Sequence, residues 1–412
     1  MVKKPKIVTI VKEKGMYSTN ELILLVVAAT LLGLVVGFFV AQDKVIGTFF
    51  RSDAVNLYRS DKYIADFVSV YDNVVNGFYQ EVDQKELIDG AVDGMLKKLD
   101  DPYTVFLNDK ETKSLDTFLE GNYLGIGVIL ETNNKGQVYV KSMFPSTPAV
   151  KAGLKIGDEI ININNTYIKG KTSSEVMQLL RNDAIKELTL VIQRNKQQLT
   201  FKILKQKIEI PTVIEEIINK DDQLIGYMAL NFFSTNTPKQ VASALKNFEK
   251  QKIKGLIIDV RDNGGGQLNS LDQILDLFMT KKDLMYQIKT ANYKLKRYAK
   301  GNESFKLPIC VLINENSASA SEILAAAFKE TYDATLVGKK TYGKGTVQQA
   351  AHLRTGGMYK FTSQEWLTPL GNSINNKGVI PDVEVELSPL YQNAPTNEND
   401  SQLQKAISII ID

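Results

Sequence analysis

The sequence SASASE at positions 317–322 groups small hydroxyl residues where a catalytic nucleophile would be useful. The group follows the apolar, strand-like run 307–313 and begins a helical pattern at 319–329. At such a junction, free backbone N–H groups and the helix dipole favour negative charge. A nucleophilic serine there gains an oxyanion site without further residues. A serine-rich helix N-cap is the structural alternative, and the group alone does not separate the two.

Lys344, in the sequence TYGKGTVQ at 341–348, is the candidate general base. Its flanking glycines allow the backbone to approach another element closely. A lysine acts as a base only as a neutral amine, and its usual pKa of ~10.4 prevents that unless burial lowers it. A solvated turn lysine is the alternative, and only the serine group favours the catalytic interpretation.

Three consecutive glycines at 264–266 form a second loop with chemical potential. Without side chains, they can place a backbone N–H very near a ligand. Together with the N–H of Ala320, this turn can complete an oxyanion hole.

An α/β pattern from 224 to 387 must position these loops. Strand-like runs at 255–260, 309–313 and 335–338 alternate with helical stretches at 237–250, 268–279 and 319–329. In such sheets, ligands gather at the carboxyl ends of the strands. The glycine and serine segments both follow strands, so we expect them at one edge of a sheet.

A mostly β module precedes this core, with short alternating strands and one helix at 172–182. Before its first strand, four residues can curl their N–H groups into a nest for a carboxylate: Leu124, Gly125, Ile126 and Gly127. The adjacent strand edge and the helix would form a groove for an added peptide strand, the PDZ mode of C-terminal capture. The sequence at 148–160, PAVKAGLKIGDEI, strengthens this assignment.

The N-terminal region predicts a membrane anchor. Residues 22–41 are 20 uncharged, largely apolar residues, about the ~20 that a helix needs to cross a bilayer. The lysine-rich segment 1–21 should remain cytoplasmic, which places the rest outside. A cleaved signal peptide is the alternative, but no A-x-A site precedes Gln42. Two amphipathic helices between 63 and 99 would pack on another domain or on a second copy of the chain, so a homodimer is one outcome.

Composition excludes several functions. The net charge is +3, and the surplus belongs to residues 1–14, so a nucleic acid partner is not expected. One cysteine, Cys310, and one histidine, His352, make a metal site unexpected. The P-loop spacing at 338–344 fails because Gly345 replaces the Ser or Thr that binds magnesium, so no cofactor is expected.

These motifs resemble the PDZ-containing carboxyl-terminal processing, or tail-specific, serine proteases. The resemblance runs from about 68 to 387 and includes LDDPYT at 99–104 and DVRDNGGG at 259–266. It implies a crotonase-like α/β core in which Ser319 is the nucleophile, Lys344 the general base and Gln348 the residue that orients the lysine amine. It also implies oxyanion donors at Ala320 and at one of the glycines, with Gly265 preferred.

The predicted fold class is therefore multi-domain α/β. Its predicted parts are a cytoplasmic stub (1–21), a transmembrane helix (22–41), a helical region (42–117), a PDZ domain (118–205), a protease core (206–388) and a C-terminal tail with a possible assembly helix (389–412). The expected function is an extracytoplasmic, single-pass membrane endopeptidase that acts on proteins or peptides with free, apolar C-termini. Arg181, which closes the helix at 172–182, is a candidate for coupling PDZ occupancy to activation.

Two alternatives remain at this level. One is a catalytically inactive, membrane-tethered PDZ adaptor, against which the presence of Ser319, Lys344 and Gln348 argues. The other is a crotonase-type acyl-CoA enzyme, which the PDZ motif and the outward topology disfavour.

Overall fold

The computed structural model describes residues 61–182, 184–302 and 305–412. The predicted membrane span at 22–41 lies outside these residues. No helix within the described ranges is both long and apolar enough to cross a bilayer. The chain divides into two compact units, one ending at Ile88 and the other running from Asp89 to Asp412.

The N-terminal unit contains α1 (Lys62–Gly77) and the beginning of α2 (Gln84–Lys97). Asp61 caps α1, because its carboxylate accepts the N–H of Tyr63 at 2.8 Å. Helix α1 has no buried residue, and the apolar side chains of Phe67 and Val70 are exposed. The two helices agree with the amphipathic pattern predicted between 63 and 99.

The larger unit begins with a strand, a helix and a β-rich module. These elements are β1 (Val105–Leu107), α3 (Asp109–Glu120), β2 (Asn122–Gly125), β3 (Val128–Thr132), β4 (Val138–Met143), α4 (Pro148–Ala152), β5 (Glu159–Ile163), β6 (Thr166–Tyr167), α5 (Ser173–Arg181), β7 (Glu187–Arg194), β8 (Gln197–Leu204) and β9 (Gln206–Glu209). One sheet has the order β3-β4-β5-β7-β8 with β6 beside β5, and β2 pairs with β9. A capping box between Thr172 and Glu175 begins α5.

The remaining elements form the core that carries the predicted loops. They are β10 (Val213–Lys220), β11 (Gln223–Leu230), α6 (Thr237–Gln251), β12 (Gly255–Asp259), α7 (Leu268–Leu275), β13 (Leu284–Lys289), β14 (Lys294–Tyr298), β15 (Ile309–Ile313), α8 (Ala320–Ala327), β16 (Thr335–Gly338), β17 (Thr346–His352), β18 (Met358–Leu367), β19 (Val383–Glu384), α9 (Pro389–Asn393) and α10 (Ser401–Ile411). The central sheet has the order β10-β11-β12-β15-β16-β19, and its strands from β11 onward are parallel.

Burial on both faces explains why β12 and β15 are continuous apolar runs. Helices α6, α7 and α8 contribute to one apolar cluster, and α10 packs on the sheet within another. Leu403, Ala406 and Ile407 of α10 are buried there. The possible assembly helix predicted in the tail 389–412 therefore buries one face within this unit.

A second, antiparallel sheet has the order β1-β18-β13-β14, with β17 also paired to β18. Strand β18 therefore lies between β1 and β17, which are far apart in sequence. This arrangement places the segment before β1 and the segment that carries Gln348 on opposite sides of the same strand.

Candidate active site

The serine loop, residues 314–319, joins β15 to α8, and the serines in the loop and in the first turn of α8 have different roles. Ser317 and Ser321 are fully buried and donate their hydroxyls to the carbonyls of Val260 and Asn263, each at 2.8 Å. Among the described residues, no buried carbonyl accepts a hydrogen bond from the Ser319 hydroxyl. Ser319 caps α8 with φ of +57° and ψ of −115°, a strained conformation for a residue with a side chain. Strain of this kind is common where a nucleophile is presented at a strand-to-helix turn.

The glycine loop, residues 261–266, lies directly against Ser319. A Cβ atom on Gly265 would lie 2.9 Å from Ser319 Cβ and 2.9 Å from the Ala318 carbonyl, and the φ of Gly265 is +103°. Asn263 holds the two loops together, because its carbonyl accepts the N–H of Ala318 at 3.0 Å. Only glycine is compatible with this packing.

The two predicted oxyanion donors differ in availability. The Gly265 N–H donates to Asn263 Oδ1 at 2.9 Å, so it is already engaged. Within the described part of the chain, the Ala320 N–H has no hydrogen-bond acceptor. It is the first residue of α8, where the helix dipole favours negative charge. The Ala320 N–H is therefore available as a donor, whereas the Gly265 N–H would first have to release Asn263 Oδ1.

A buried carboxylate joins the serine loop to the lysine loop, residues 339–345. Glu322 Oε2 accepts the N–H groups of Ser319 at 2.8 Å and of Lys344 at 2.9 Å. Its Oε1 accepts the Gly343 N–H at 2.7 Å and the Thr341 hydroxyl at 2.6 Å. Glu322 is fully buried, so all four donors depend on this one side chain.

The Lys344 side chain is held less tightly than its backbone. Its Nζ lies 4.2 Å from the centroid of the Tyr103 ring, in a cation–π arrangement. Burial lowers the pKa of Lys344, nearby Lys360 lowers it further, and the charges of Asp101 and Glu322 partly oppose both effects. No hydrogen bond among the described residues joins this amine to Ser319 Oγ. The lowered pKa favours the neutral amine that a base requires, but the amine lies over the Tyr103 ring and is not hydrogen-bonded to Ser319.

Gln348 lies in β17 directly opposite Thr362 of β18. Its Nε2 donates to the hydroxyls of Thr346 at 3.0 Å and of Thr362 at 3.2 Å. The amide is therefore fixed by both of its hydrogens, which leaves Oε1 as its acceptor.

The predicted carboxylate nest borders a cavity of only about 10 Å³ between β2 and α5. Gly125, Ile126 and Gly127 line it, but the Leu124 side chain does not, because successive side chains of a strand point to opposite faces. Tyr123 fills the space instead. Its ring folds over Gly125, and its hydroxyl lies near the Gly127 backbone, which acts to lower the pKa of Tyr123.

Arg181 belongs to the same groove. Its guanidinium carbon lies 5.3 Å from the centroid of the Tyr123 ring. Burial raises the pKa of Tyr123, while Arg181 and the Gly127 N–H act in the opposite direction. The residue predicted to couple PDZ occupancy to activation therefore touches the side chain that fills the nest.

A short chain of contacts connects this module with the glycine loop. The Gly121 carbonyl, just before β2, accepts the side-chain amide of Asn236 at 2.8 Å. The Thr235 N–H donates to the Leu119 carbonyl at 2.9 Å. The neighbouring Phe233 N–H donates to the Gly265 carbonyl at 3.0 Å. Segment 231–236 therefore contacts both the entrance of the β-rich module and the glycine loop.

Cys310 is a free, buried cysteine. Burial raises the pKa of the Cys310 thiol to about 12, and the side chain lies in the central sheet as a small apolar residue. Across residues 61–182, 184–302 and 305–412, no group of three or more His, Cys, Asp or Glu is placed to hold a metal.

Three residues that shape this site were missed by the sequence analysis. The role of Glu322 could have been predicted from the sequence, because it stands three residues after Ser319, which is the spacing of a capping box. Asn263 carried a weaker signal, because asparagine before glycines commonly bonds to the backbone of its own turn. Thr362 had no local signal, since its role depends on strand pairing.

Models of known families match most of the chain. The model of peptidase family S41 matches residues 224–385, a PDZ domain model matches 122–204, and a model of the N-terminal domain of the activating protease CtpB matches 44–112.

Named relatives agree with these matches. The carboxy-terminal processing protease CtpB of Bacillus subtilis is 37% identical over 338 residues, covering 81% of this chain and 70% of that protein. CtpA of the same organism is 34% identical over 328 residues, covering 79% and 69%. Among solved structures, the photosystem II D1 C-terminal processing protease covers 78% of this chain and 93% of its own, with 27% identity and a TM-score of 0.47.

The chain belongs to peptidase family S41, among the carboxy-terminal processing serine proteases that carry a PDZ domain. It is a serine-type endopeptidase, and the predicted family resemblance is confirmed.

Proposed function

We propose that this protease is tethered to the membrane with its catalytic part on the extracytoplasmic side, captures substrate C-termini in its PDZ groove and cleaves with Ser319 and Lys344. The observation that carries the dyad is the position of Glu322, whose Oε2 binds the backbone N–H of both residues. That shared contact holds two loops together that are separate in sequence. An inactive PDZ adaptor is not favoured, because the relatives are processing proteases.

The dyad would perform acyl transfer. The neutral Lys344 amine moves from Tyr103 to Ser319 and takes the hydroxyl proton, and Ser319 Oγ attacks the scissile carbonyl. The Ala320 N–H stabilises the resulting oxyanion. The Lys344 ammonium then returns its proton to the departing amine, which leaves an acyl-enzyme. A water molecule, deprotonated by Lys344, attacks the acyl-enzyme, and Lys344 returns that proton to Ser319 Oγ as the new C-terminus is released.

The PDZ groove would recognise the free carboxylate. A C-terminal carboxylate needs the Gly127 N–H, and Tyr123 lines the same small cavity with its hydroxyl near that backbone, so a peptide must displace this side chain. Displacing Tyr123 would also remove the ring beside Arg181. Arg181 is therefore in a position to respond to occupancy, and segment 231–236 offers a route to the glycine loop.

Two further expectations stay part of the proposal. The span at 22–41 supports membrane tethering, with residues from 42 onward outside. The exposed apolar side chains of α1 support burial against a second copy of the chain, which would make a homodimer.

The test is cleavage of matched peptides by the full-length protein in detergent. An unstructured peptide with a free, apolar C-terminus should be cut, and its C-terminally amidated counterpart should be cut much more slowly. Ser319→Ala should cut neither peptide while retaining the wild-type melting temperature. Equal cleavage of the two peptides would refute carboxylate capture, and activity in Ser319→Ala would refute the nucleophile.

Two variants test the PDZ groove. Arg181→Ala should bind the free-acid peptide but lose its stimulation of turnover. Tyr123→Phe should bind it about 2- to 10-fold more tightly, because the hydroxyl that competes for Gly127 is worth about 0.5–1.5 kcal/mol. Tyr167→Phe, an exposed tyrosine of the same module, is the control. Unchanged stimulation in Arg181→Ala would refute the coupling.

A further inference from the structure

Asp101, in the segment before β1, lies at the end of a chain of hydrogen bonds that reaches Gln348. Its Oδ2 accepts the hydroxyls of Thr104 and Thr362, each at 2.6 Å. Its Oδ1 accepts the Tyr103 N–H at 3.3 Å. Burial raises the pKa of Asp101, but the hydrogen bonds from Thr104 and Thr362 outweigh it and lower the pKa overall. The carboxylate is therefore ionised and can only accept hydrogen bonds.

This charge determines the direction of the next hydrogen bond. Because an ionised carboxylate has no proton to give, the Thr362 hydroxyl must donate to Asp101. The lone pairs of that hydroxyl are then free to accept from Gln348 Nε2, at 3.2 Å. Thr346 accepts the second Nε2 hydrogen at 3.0 Å. Gln348 consequently presents Oε1, an acceptor, as its remaining polar atom.

Strand pairing explains why the chain of contacts is possible. Gln348 and Thr362 are opposite one another in the β17–β18 pair. On the other side of β18, β1 follows the segment that contains Asp101, and the Thr362 N–H donates to Thr104 Oγ1 at 3.1 Å. The sheet thus lines up three segments that are distant in sequence.

We propose that Asp101 is a positioning residue for the Ser319/Lys344 reaction: through Thr362, it orients the Gln348 amide so that oxygen, and not nitrogen, is available to the lysine amine. This inference rests on the proposed function of the dyad. An acceptor at that place can hold the amine by one N–H while its lone pair faces Ser319. The segment before β1 also positions the Tyr103 ring against which the Lys344 amine lies, because the Asp101 carboxylate accepts the Tyr103 N–H.

Asp101→Asn would reverse this polarity. If the new amide nitrogen takes the place of Oδ2, the Thr362 hydroxyl must turn to accept from it and then donates toward Gln348. The Gln348 amide must flip to accept, and its nitrogen then faces the lysine amine, where two donors oppose each other. If the nitrogen instead takes the place of Oδ1, two donors face each other, namely the new amide NH₂ and the Tyr103 N–H.

The same substitution has an electrostatic signature. The charged groups that act on Lys344 are Lys360, Asp101 and Glu322, and Asp101 favours the ammonium form. Removing its charge lowers the pKa of Lys344, so the acid limb of the kcat/KM profile should move to lower pH. A purely structural defect would reduce the amount of active enzyme without moving that limb.

The experiment measures kcat, KM and the pH profile of the full-length enzyme with a free-acid peptide. Asp101→Asn should lower kcat about 10- to 100-fold, the cost of a misplaced catalytic group, with KM nearly unchanged and the acid limb at lower pH. Asp100→Asn is the matched control, since Asp100 is exposed and its φ of +50° suits asparagine.

Thr362 variants separate the two effects of Asp101. Thr362→Val removes the hydroxyl but keeps the Asp101 charge, so kcat should fall while the acid limb stays at its wild-type position. Thr362→Ser restores the hydroxyl and should recover most of the turnover. Wild-type kcat in Thr362→Val, with Ser319→Ala inactive, would overturn the relay alone. An active Ser319→Ala would instead overturn the dyad on which the relay depends.

Discussion

The two halves of the proposed dyad differ in how firmly the fold holds them. On the serine side, Ser317, Ser321 and Asn263 are fully buried and bonded to the backbone, so the position of Ser319 is set by its surroundings. On the lysine side, the Lys344 backbone is fixed by Glu322 and by Trp366 Nε1, which donates to the Lys344 carbonyl at 3.0 Å. Its amine only rests on an aromatic ring.

This difference matches what the proposed reaction requires of each group. The nucleophile and the oxyanion donor gain from being preorganised, because reorganisation during the reaction would cost rate. The base must instead move between the serine hydroxyl, the leaving amine and the attacking water. A rigid backbone with a mobile amine therefore serves the lysine, and a fully fixed loop serves the serine.

Removing the mobile amine should have the largest effect. Lys344→Ala is expected to reduce turnover by at least about 10⁴-fold, because the other two lysines of the loop are either salt-bridged (Lys339) or exposed (Lys340). The melting temperature should change by only a few degrees, since the backbone bonds to Glu322 and Trp366 remain. Peptide cleavage followed by mass spectrometry and calorimetry measure the two quantities. Lys340→Ala, an exposed lysine of the same loop, is the control, and substantial turnover in Lys344→Ala would contradict the dyad.

Loosening the fixed side should instead appear as a loss of stability. Glu322→Gln places an NH₂ group against two of the four donors that Glu322 accepts, so we expect a loss of about 3 kcal/mol in the free energy of unfolding. Turnover should fall as well, because the two loops lose their common contact. Urea unfolding measures the first effect, with the exposed Glu315→Gln as control. Equal stability of Glu322→Gln and wild type would show that the loops are held by other contacts.

The serine side of the site is more predictable from the sequence than the lysine side. The strand-to-helix junction at Ser319 is visible locally, because a buried strand, small hydroxyl residues and a helical pattern follow one another within about 20 residues. The helix and strand limits differ from the predicted ones by a few residues, for example at α7, which ends at Leu275 and not at 279. Such limits depend on capping contacts that periodicity does not record.

The surroundings of the lysine could not be predicted in the same way. Asp101 and Thr362 are 261 residues apart, and only the pairing of β1 with β18 brings them together. No local pattern specifies which strands pair. The helix α10 shows the same limit, because an apolar run near a chain end is compatible with burial in its own sheet or against a partner.

The smallest predicted effect tests whether the amine itself titrates in the reaction. Lys360 lowers the pKa of Lys344, so Lys360→Gln should raise it. A raised lysine pKa leaves less neutral amine at neutral pH, so the acid limb of kcat/KM should move to higher pH and turnover at pH 7 should fall modestly. Lys296→Gln, an exposed lysine with the same change of charge, should leave the profile in place.

The direction of that shift is more informative than its size. Asp101→Asn removes a negative charge near the amine, and Lys360→Gln removes a positive one, so the two variants should move the acid limb in opposite directions. Only a titrating group whose pKa depends on both charges can shift in opposite directions in the two variants. If both variants moved the limb the same way, or neither moved it, the acid limb would belong to another group and the mobile amine of Lys344 would lose its role as the base.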